Sequence, residues 1–311
     1  MQAPPLLPTL SIAAVERDTG LSKDTLRIWE RRYGFPRPAR DAAGERAYPL
    51  EQVERLRTLK RLLDAGHRPG RIVGLAHNAL QQLAEATVEQ PTRGLSAAVD
   101  GTRLRQLVAL LQQGELRQLR AELTGLLARL GVAAFVSAVI APLNQAVGDA
   151  WMRGRLQVYE EHLYSELVQT LLRQALSSLP AAEGTPGPRV LLTSLPGEPH
   201  GLGLLMAEAM FALEGCVCLP LGPQTPLLDT VQAAKALRVD IVALGFAGCL
   251  GHKQVLAGVA ELRAKLPPTV AVWAGGHSPG LRRHPPQGVR VVDSLTGIAA
   301  ALAAPQDASP D

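Results

Sequence analysis

The chain has 311 residues, 47% hydrophobic and 19% charged, which fits about two folded domains and excludes a collagen, a coiled-coil rod or a mainly disordered polymer. Its net charge of +4 is uneven: the first 75 residues carry 14 Lys and Arg against 9 Asp and Glu, the remainder 18 against 19, so a polyanion partner belongs at the N-terminal end. Cys216, Cys218 and Cys249 form neither a disulfide framework nor a spaced zinc site and read as core thiols in a reducing compartment. Apolar runs are broken by charge, proline or glycine short of the roughly 18 residues a membrane span needs. With no basic signal-peptide start, a cytoplasmic protein without a membrane partner is expected.

Residues 8–77 predict a small helical module, with Ser11 before Ile12–Val15 and Ser22 before Lys23–Arg32 in N-cap positions. Residues 78–101, rich in Gln, Ala, Thr and Gly around Pro91, predict a linker. Residues 102–180 carry apolar side chains at helical spacing (Leu104, Leu107, Leu111; Leu119, Leu123, Leu126; Leu163, Leu167, Leu171), the pattern of a helical bundle. Pro180–Pro188 predicts a second linker, and Pro305–Asp311 a polar tail without fixed structure. Within 188–304, five short β-branched runs (190–193, 217–219, 241–245, 270–273 and 289–292) alternate with helical stretches, predicting a doubly wound parallel sheet. Ligands of such sheets bind beyond the carboxyl ends of the strands, so the loops after Thr193, Gly245 and Trp273 are where a site is expected.

The segment Leu21–Pro38 joins a capped helix to a proline-bounded turn and is followed by Gly44-Glu-Arg-Ala-Tyr48 and a new helix from residue 50. Over about 65 residues this order resembles the winged helix-turn-helix of the MerR transcription regulators. The resemblance implies an all-α winged helix-turn-helix that binds double-stranded operator DNA as an oligomer, with Lys23, Thr25, Arg27, Arg46 and Tyr48 at the DNA. Without the wing, Arg27, Arg31 and Arg32 would read equally well as a solvated helix face; Trp29 reads as core.

Glu198-Pro-His-Gly-Leu-Gly203 follows the first predicted strand. A histidine at the carboxyl edge of a sheet can give one nitrogen to a metal while a carboxylate two residues earlier orients the other. Together with Gly275-Gly276 after the fourth strand, the pattern resembles the Rossmann-like cobalamin domain of methionine synthase, corrinoid proteins and mutases. That likeness implies His200 as the lower cobalt ligand, supported by Glu198, and a slot for the displaced nucleotide tail lined by Gly203, Gly245, Gly275 and Gly276. Gly245-Phe246-Ala247 stands where the family often has Ser-x-Leu, so a hydroxyl contact is lost.

Trp151, followed after nine residues by Glu161-His162, completes a likeness to the MerR-type cobalamin photoreceptors of the CarH or LitR kind. It implies a four-helix bundle whose Trp151, Glu161 and His162 cover and contact the adenosyl group of adenosylcobalamin, and a dimer or tetramer on the operator in the dark that light releases. Met152 stands where light-responsive members place a histidine after the tryptophan, and a thioether is a poor ligand for oxidised cobalt. The competing readings are a light-independent cobalamin sensor, a repressor that needs no cofactor, and a corrinoid-carrying methyltransferase subunit. No catalytic triad or P-loop is apparent, so the chain is not expected to be an enzyme.

Overall fold

A computed structural model describes residues 9–41, 44–88, 100–179 and 187–304. Two compact units emerge: one joins Met1–Arg93 to Asp149–Leu156, the other holds Gly94–Gly148 and Gln157–Asp311.

The first unit runs β1 (Thr9–Ser11), α1 (Ile12–Thr19), α2 (Lys23–Tyr33), β2 (Ala39–Arg40), β3 (Arg46–Pro49), α3 (Leu50–Asp64), α4 (Pro69–Ile72) and α5 (His77–Val88). Ser11 and Ser22 cap α1 and α2 as expected, their hydroxyls accepting from the Ala14 and Thr25 N–H groups at 3.3 and 3.1 Å. Gly20 and Gly34 end the same helices with φ of 69° and 66°, a left-handed backbone that glycine adopts without strain. The wing is a three-stranded antiparallel sheet in the order β1-β3-β2. Its strands are too short to give an alternating signal, so the module expected as all-α carries this small sheet beside its helices. Val15, Leu26, Trp29, Tyr48, Val53, Leu56 and Leu59 form the core, and Trp29 is buried there as expected.

The expected linker over 78–101 needs correction at its start. Residues 77–88 are helical, and Leu80 and Ala84, one turn apart, are buried in the first unit's core. The polar Gln and Thr residues of this stretch concealed an apolar pair on one helix face. Residues 89–99, most of Pro180–Pro188 and the Pro305–Asp311 tail lie outside the described residues.

The second unit begins with α6 (Gly101–Gln112) and α7 (Leu116–Ala134), which passes through a π-helical stretch (Phe135–Ile140) into α8 (Ala141–Met152), whose residues from Asp149 on belong to the first unit, and then α9 (Val158–Ser177). Gly131, with φ 72° and ψ 170°, breaks the helix inside α7, so four helical segments make the bundle. The 37-residue run Leu116–Met152 is long and apolar enough to cross a membrane, contrary to the expectation from the sequence. Phe135, Val136, Val139 and Ile140 within it are fully buried and serve as bundle core, while 33% of its apolar window is buried in all.

Five parallel strands follow: β4 (Arg189–Thr193), β5 (Val217–Gly222), β6 (Ile241–Phe246), β7 (Ala271–Gly276) and β8 (Val289–Val292), in the order β5-β4-β6-β7-β8. The connecting helices are α10 (Leu202–Leu213), α11 (Leu227–Ala236), α12 (His252–Lys265) and α13 (Pro279–Arg283), with α14 (Gly297–Ala303) last. This is the expected doubly wound sheet, its central strands buried through Leu191, Val242, Leu244 and Val272. The bundle leans on it through α10: Tyr164 Oη donates to Asn144 Oδ1, and Asn144 Nδ2 lies 3.2 Å from Met206 Sδ.

Candidate functional site

The strand order reverses direction between β4 and β6, and open α/β sheets hold ligands at that crevice, beyond the carboxyl ends of the two strands. The loop after β4 carries Glu198 and His200; the loop after β6 carries Ala247 and Cys249. Glu198 is fully buried. Its Oε1 lies 2.9 Å from His200 Nδ1, and its Oε2 accepts from the Ala247 N–H at 2.9 Å, which ties the two loops together. Ser194 Oγ donates to the Glu198 carbonyl at 2.7 Å and itself accepts from the Gln224 N–H at 2.9 Å, fixing the loop from beneath. Cys249 Sγ stands 3.3 Å from His200 Nδ1.

These contacts set the charge of the site. Burial opposes the ionised form of Glu198, but the bonds from His200 and Ala247 hold its carboxyl below the ordinary range. Cys249 and then Glu198 favour the protonated imidazole of His200 over the effect of burial, and its pKa is pushed up to about 10. With Nδ1 held by Glu198, Nε2 is the ring nitrogen left for a metal, and the His200 side chain is 54% exposed.

The four glycines expected to line a slot separate into two kinds. At Gly203, in the first turn of α10, an added Cβ would meet nothing within 4 Å, so open space lies beside the backbone where a bulky group would enter. Gly245 is instead required by packing, since a Cβ there would come 2.8 Å from Leu204 Cδ2. Gly276, at φ 96°, would place a Cβ 2.2 Å from the Phe246 carbonyl oxygen, and Gly275 would place one 3.2 Å from that of Val292. Sheet packing accounts for these three without a ligand. The carboxylate-held imidazole and the open space at Gly203 fit a cobalamin held through histidine.

Trp151 falls in the first unit, where the Arg61 guanidinium lies 5.3 Å from its ring centroid. Arg61 is only 7% exposed, and Met152 packs against the core of the same unit. Glu161 and His162, near the start of α9, lie in the second unit. Glu161 accepts from Ser165 Oγ at 2.6 Å and stands 3.8 Å from His162 Nε2, and the His162 side chain is 71% exposed. They form a surface pair, and the hydrogen-bond partners of His200 are Glu198 and Cys249. Cys249, read from the sequence as a core thiol, is half-buried beside His200. Its place three residues beyond the end of the third strand of the parallel sheet was the available signal.

On the helix-turn-helix, Arg27 is exposed and meets Asp24 at 3.2 Å, beside the exposed Ile28, Arg31 and Arg32 on α2. Lys23 is paired with Glu16 at 3.5 Å, and Thr25 is held by Ser22. Arg46 pairs with Glu30 at 2.8 Å. Tyr48 corrects the sequence reading: it is fully buried in the core, burial raises its pKa, and its hydroxyl has no hydrogen-bond partner among the described residues. Arg37 and Arg40, not singled out in the sequence, are exposed around the wing.

Residues 10–78 match the MerR HTH family regulatory protein family, and residues 103–175 match the B12 binding domain family. The chain is similar to the HTH-type transcriptional repressor CarH of Myxococcus xanthus, 33% identical over 262 residues, which cover 83% of this chain and 85% of that protein. To the HTH-type transcriptional repressor CarA of the same organism it is 32% identical over 271 residues, covering 86% and 87%. Among solved structures it is similar to the monomethylamine corrinoid protein of Methanosarcina barkeri, with a TM-score of 0.46 and 15% identity, over 64% of this chain and 96% of that one.

Proposed function

Because the chain belongs to the family of MerR-type helix-turn-helix repressors with a B12-binding domain that includes CarH and CarA, we propose that it is a cytoplasmic transcriptional repressor whose hold on double-stranded operator DNA is set by adenosylcobalamin and light. The observation that carries the cofactor half is the buried Glu198 carboxylate 2.9 Å from His200 Nδ1 at the switch point of the sheet.

His200 would hold the cofactor through Nε2, and Glu198 would keep the ring in the tautomer that leaves that nitrogen free. Gly203 leaves room for the nucleotide tail. Trp151, Glu161 and His162 cover and contact the adenosyl group. The bound cofactor supplies a cobalt–carbon bond that light breaks, and that chemistry is its own. Arg27, Arg46 and Lys23 meet phosphates and Thr25 lies alongside them, contacts that position the protein on DNA more than they read sequence. One helix-turn-helix binds weakly; a dimer or tetramer assembled in the dark binds strongly because each further contact is intramolecular. Release on illumination follows from freeing the Trp151 cover and loosening the assembly. The chain's part is to bind and respond, without catalysing a reaction.

Size-exclusion chromatography with a full absorbance spectrum tests this on protein mixed with adenosylcobalamin in the dark and after green light. A coloured oligomer that shrinks on illumination is expected, and protein that elutes without colour would overturn the cofactor reading. Met152 favours a second reading, a light-independent cobalamin sensor, because it stands where light-responsive members place a histidine and its side chain packs against the first unit's core. Colour with a size indifferent to light would select it.

A further inference from the structure

His200 Nδ1 is oversubscribed. It can carry one hydrogen, yet Glu198 Oε1 lies 2.9 Å away and Cys249 Sγ 3.3 Å away. The three donor atoms, a carboxylate oxygen, an imidazole nitrogen and a sulfur, all lie within 4.8 Å of one another. These are the donors zinc takes. Bonds of about 2.0 Å to nitrogen and oxygen and about 2.3 Å to sulfur place tetrahedral donors about 3.3 to 3.5 Å apart, so the two pairs that include His200 Nδ1, at 2.9 and 3.3 Å, need to open by only a few tenths of an ångström, while the oxygen and sulfur lie within 4.8 Å of each other. Glu198 is anchored for the task, buried and held at Oε2 by the Ala247 N–H. The half-exposed His200 and Cys249 leave one side open to an entering ion and to a water as fourth ligand. Holding cobalamin through His200 uses Glu198 but gives Cys249 no part.

We propose that in the cobalamin-free protein Glu198, His200 and Cys249 bind zinc or a similarly thiophilic divalent cation, and that this ion and cobalamin exclude each other. The exclusion rests on the cobalamin reading above; the ion site does not. An ion bound at Nδ1 leaves the ring's remaining proton on Nε2, which then has no lone pair for cobalt. Loading displaces to solvent whatever protons Nδ1 and Sγ carry, with no change of oxidation state. Cofactor uptake would therefore be set against the supply of free zinc.

Cobalt(II) serves as the optical stand-in, because zinc itself is spectroscopically silent. Untagged, metal-stripped full-length protein is titrated with cobalt(II) and then with zinc. A near-ultraviolet thiolate-to-metal band that saturates at one equivalent and is bleached by zinc is expected. Cys249→Ser and Cys249→Ala, checked for fold by circular dichroism, should lose the band and bind zinc at least tenfold more weakly; both should still take up hydroxocobalamin, and without inhibition by zinc. Zinc bound as tightly by the Cys249 variants as by wild type, or no saturating band, overturns the site. A band that survives hydroxocobalamin loading overturns the exclusion. A band in protein that never binds cobalamin supports the ion site while the cofactor reading falls.

Discussion

Glu198→Gln replaces a buried carboxylate that accepts from both sides with an amide that can accept from only one. With its oxygen toward His200 Nδ1, the NH2 faces the Ala247 N–H, which Oε2 meets at 2.9 Å in the native site, and two donors collide. With the amide reversed, its NH2 faces Nδ1, which must then accept, and the proton moves to Nε2, the nitrogen that cobalt needs. The first orientation forfeits one buried hydrogen bond, a loss of about 1 to 3 kcal/mol; the second keeps both bonds but leaves Nε2 without a lone pair. Partners that orient a metal-binding histidine typically contribute 10- to 100-fold in metal affinity, about 1.4 to 2.7 kcal/mol, and the two estimates agree. Titration of dark protein with adenosylcobalamin, followed by absorbance, should therefore give a dissociation constant raised about 10- to 100-fold. Thermal unfolding of the cofactor-free variant supplies the control for fold. Unchanged affinity in a folded Glu198→Gln variant would refute the orienting role of the carboxylate.

Three further outcomes are expected. Gly203→Ala, where a Cβ meets nothing within 4 Å, should stabilise the cofactor-free protein by up to about 1 kcal/mol through helix propensity while weakening cobalamin binding; melting and titration together check it, and undiminished affinity would show that the open space receives no cofactor. Tyr48→Phe should leave DNA affinity intact and raise stability by up to about 1 kcal/mol, because the hydroxyl it removes is buried and unpaired; a loss of DNA affinity would return Tyr48 to the interface. Arg27→Ala should weaken binding evenly across operator sequences and lower the slope of log affinity against log salt by about 1, read by fluorescence anisotropy. An unaltered slope would remove Arg27 from the phosphate contacts.

What could be read without coordinates follows from how local each signal is. The central strands β4, β6 and β7 are largely apolar runs because both faces of the sheet are covered there, and Val190, Ile241 and Val272 announce that burial residue by residue. Ser11 and Ser22 are legible as caps because a cap depends on neighbours only three positions away. Glu198 and His200 lie two residues apart in one loop, so their pairing also has a local signature. Cys249 reaches the same imidazole from 49 residues away, a juxtaposition created by strand order alone. Tyr48 misled for a related reason: a tyrosine beside an arginine on a wing reads as a phosphate contact until tertiary packing turns its ring inward. The glycines share one appearance in the sequence and divide only when their neighbours are known, Gly203 facing open space and Gly276 pressed against the Phe246 carbonyl.

The tryptophan next to the last residue of α8 has a practical consequence for anyone who would cut this chain into parts. Asp149–Leu156 folds with the N-terminal residues, Met152 lies against their core, and the Arg61 guanidinium covers the Trp151 ring. A fragment ending near residue 93 would keep the whole helix-turn-helix yet lose these eight residues, leaving Arg61 without its aromatic partner and a patch of aliphatic core bare to water. Such a truncated DNA-binding piece should be sticky and less stable than its helices suggest, and its operator affinity would report on an injured protein. A faithful minimal version must restore the 149–156 peptide, by a short graft or in trans, before any comparison with the intact repressor has meaning.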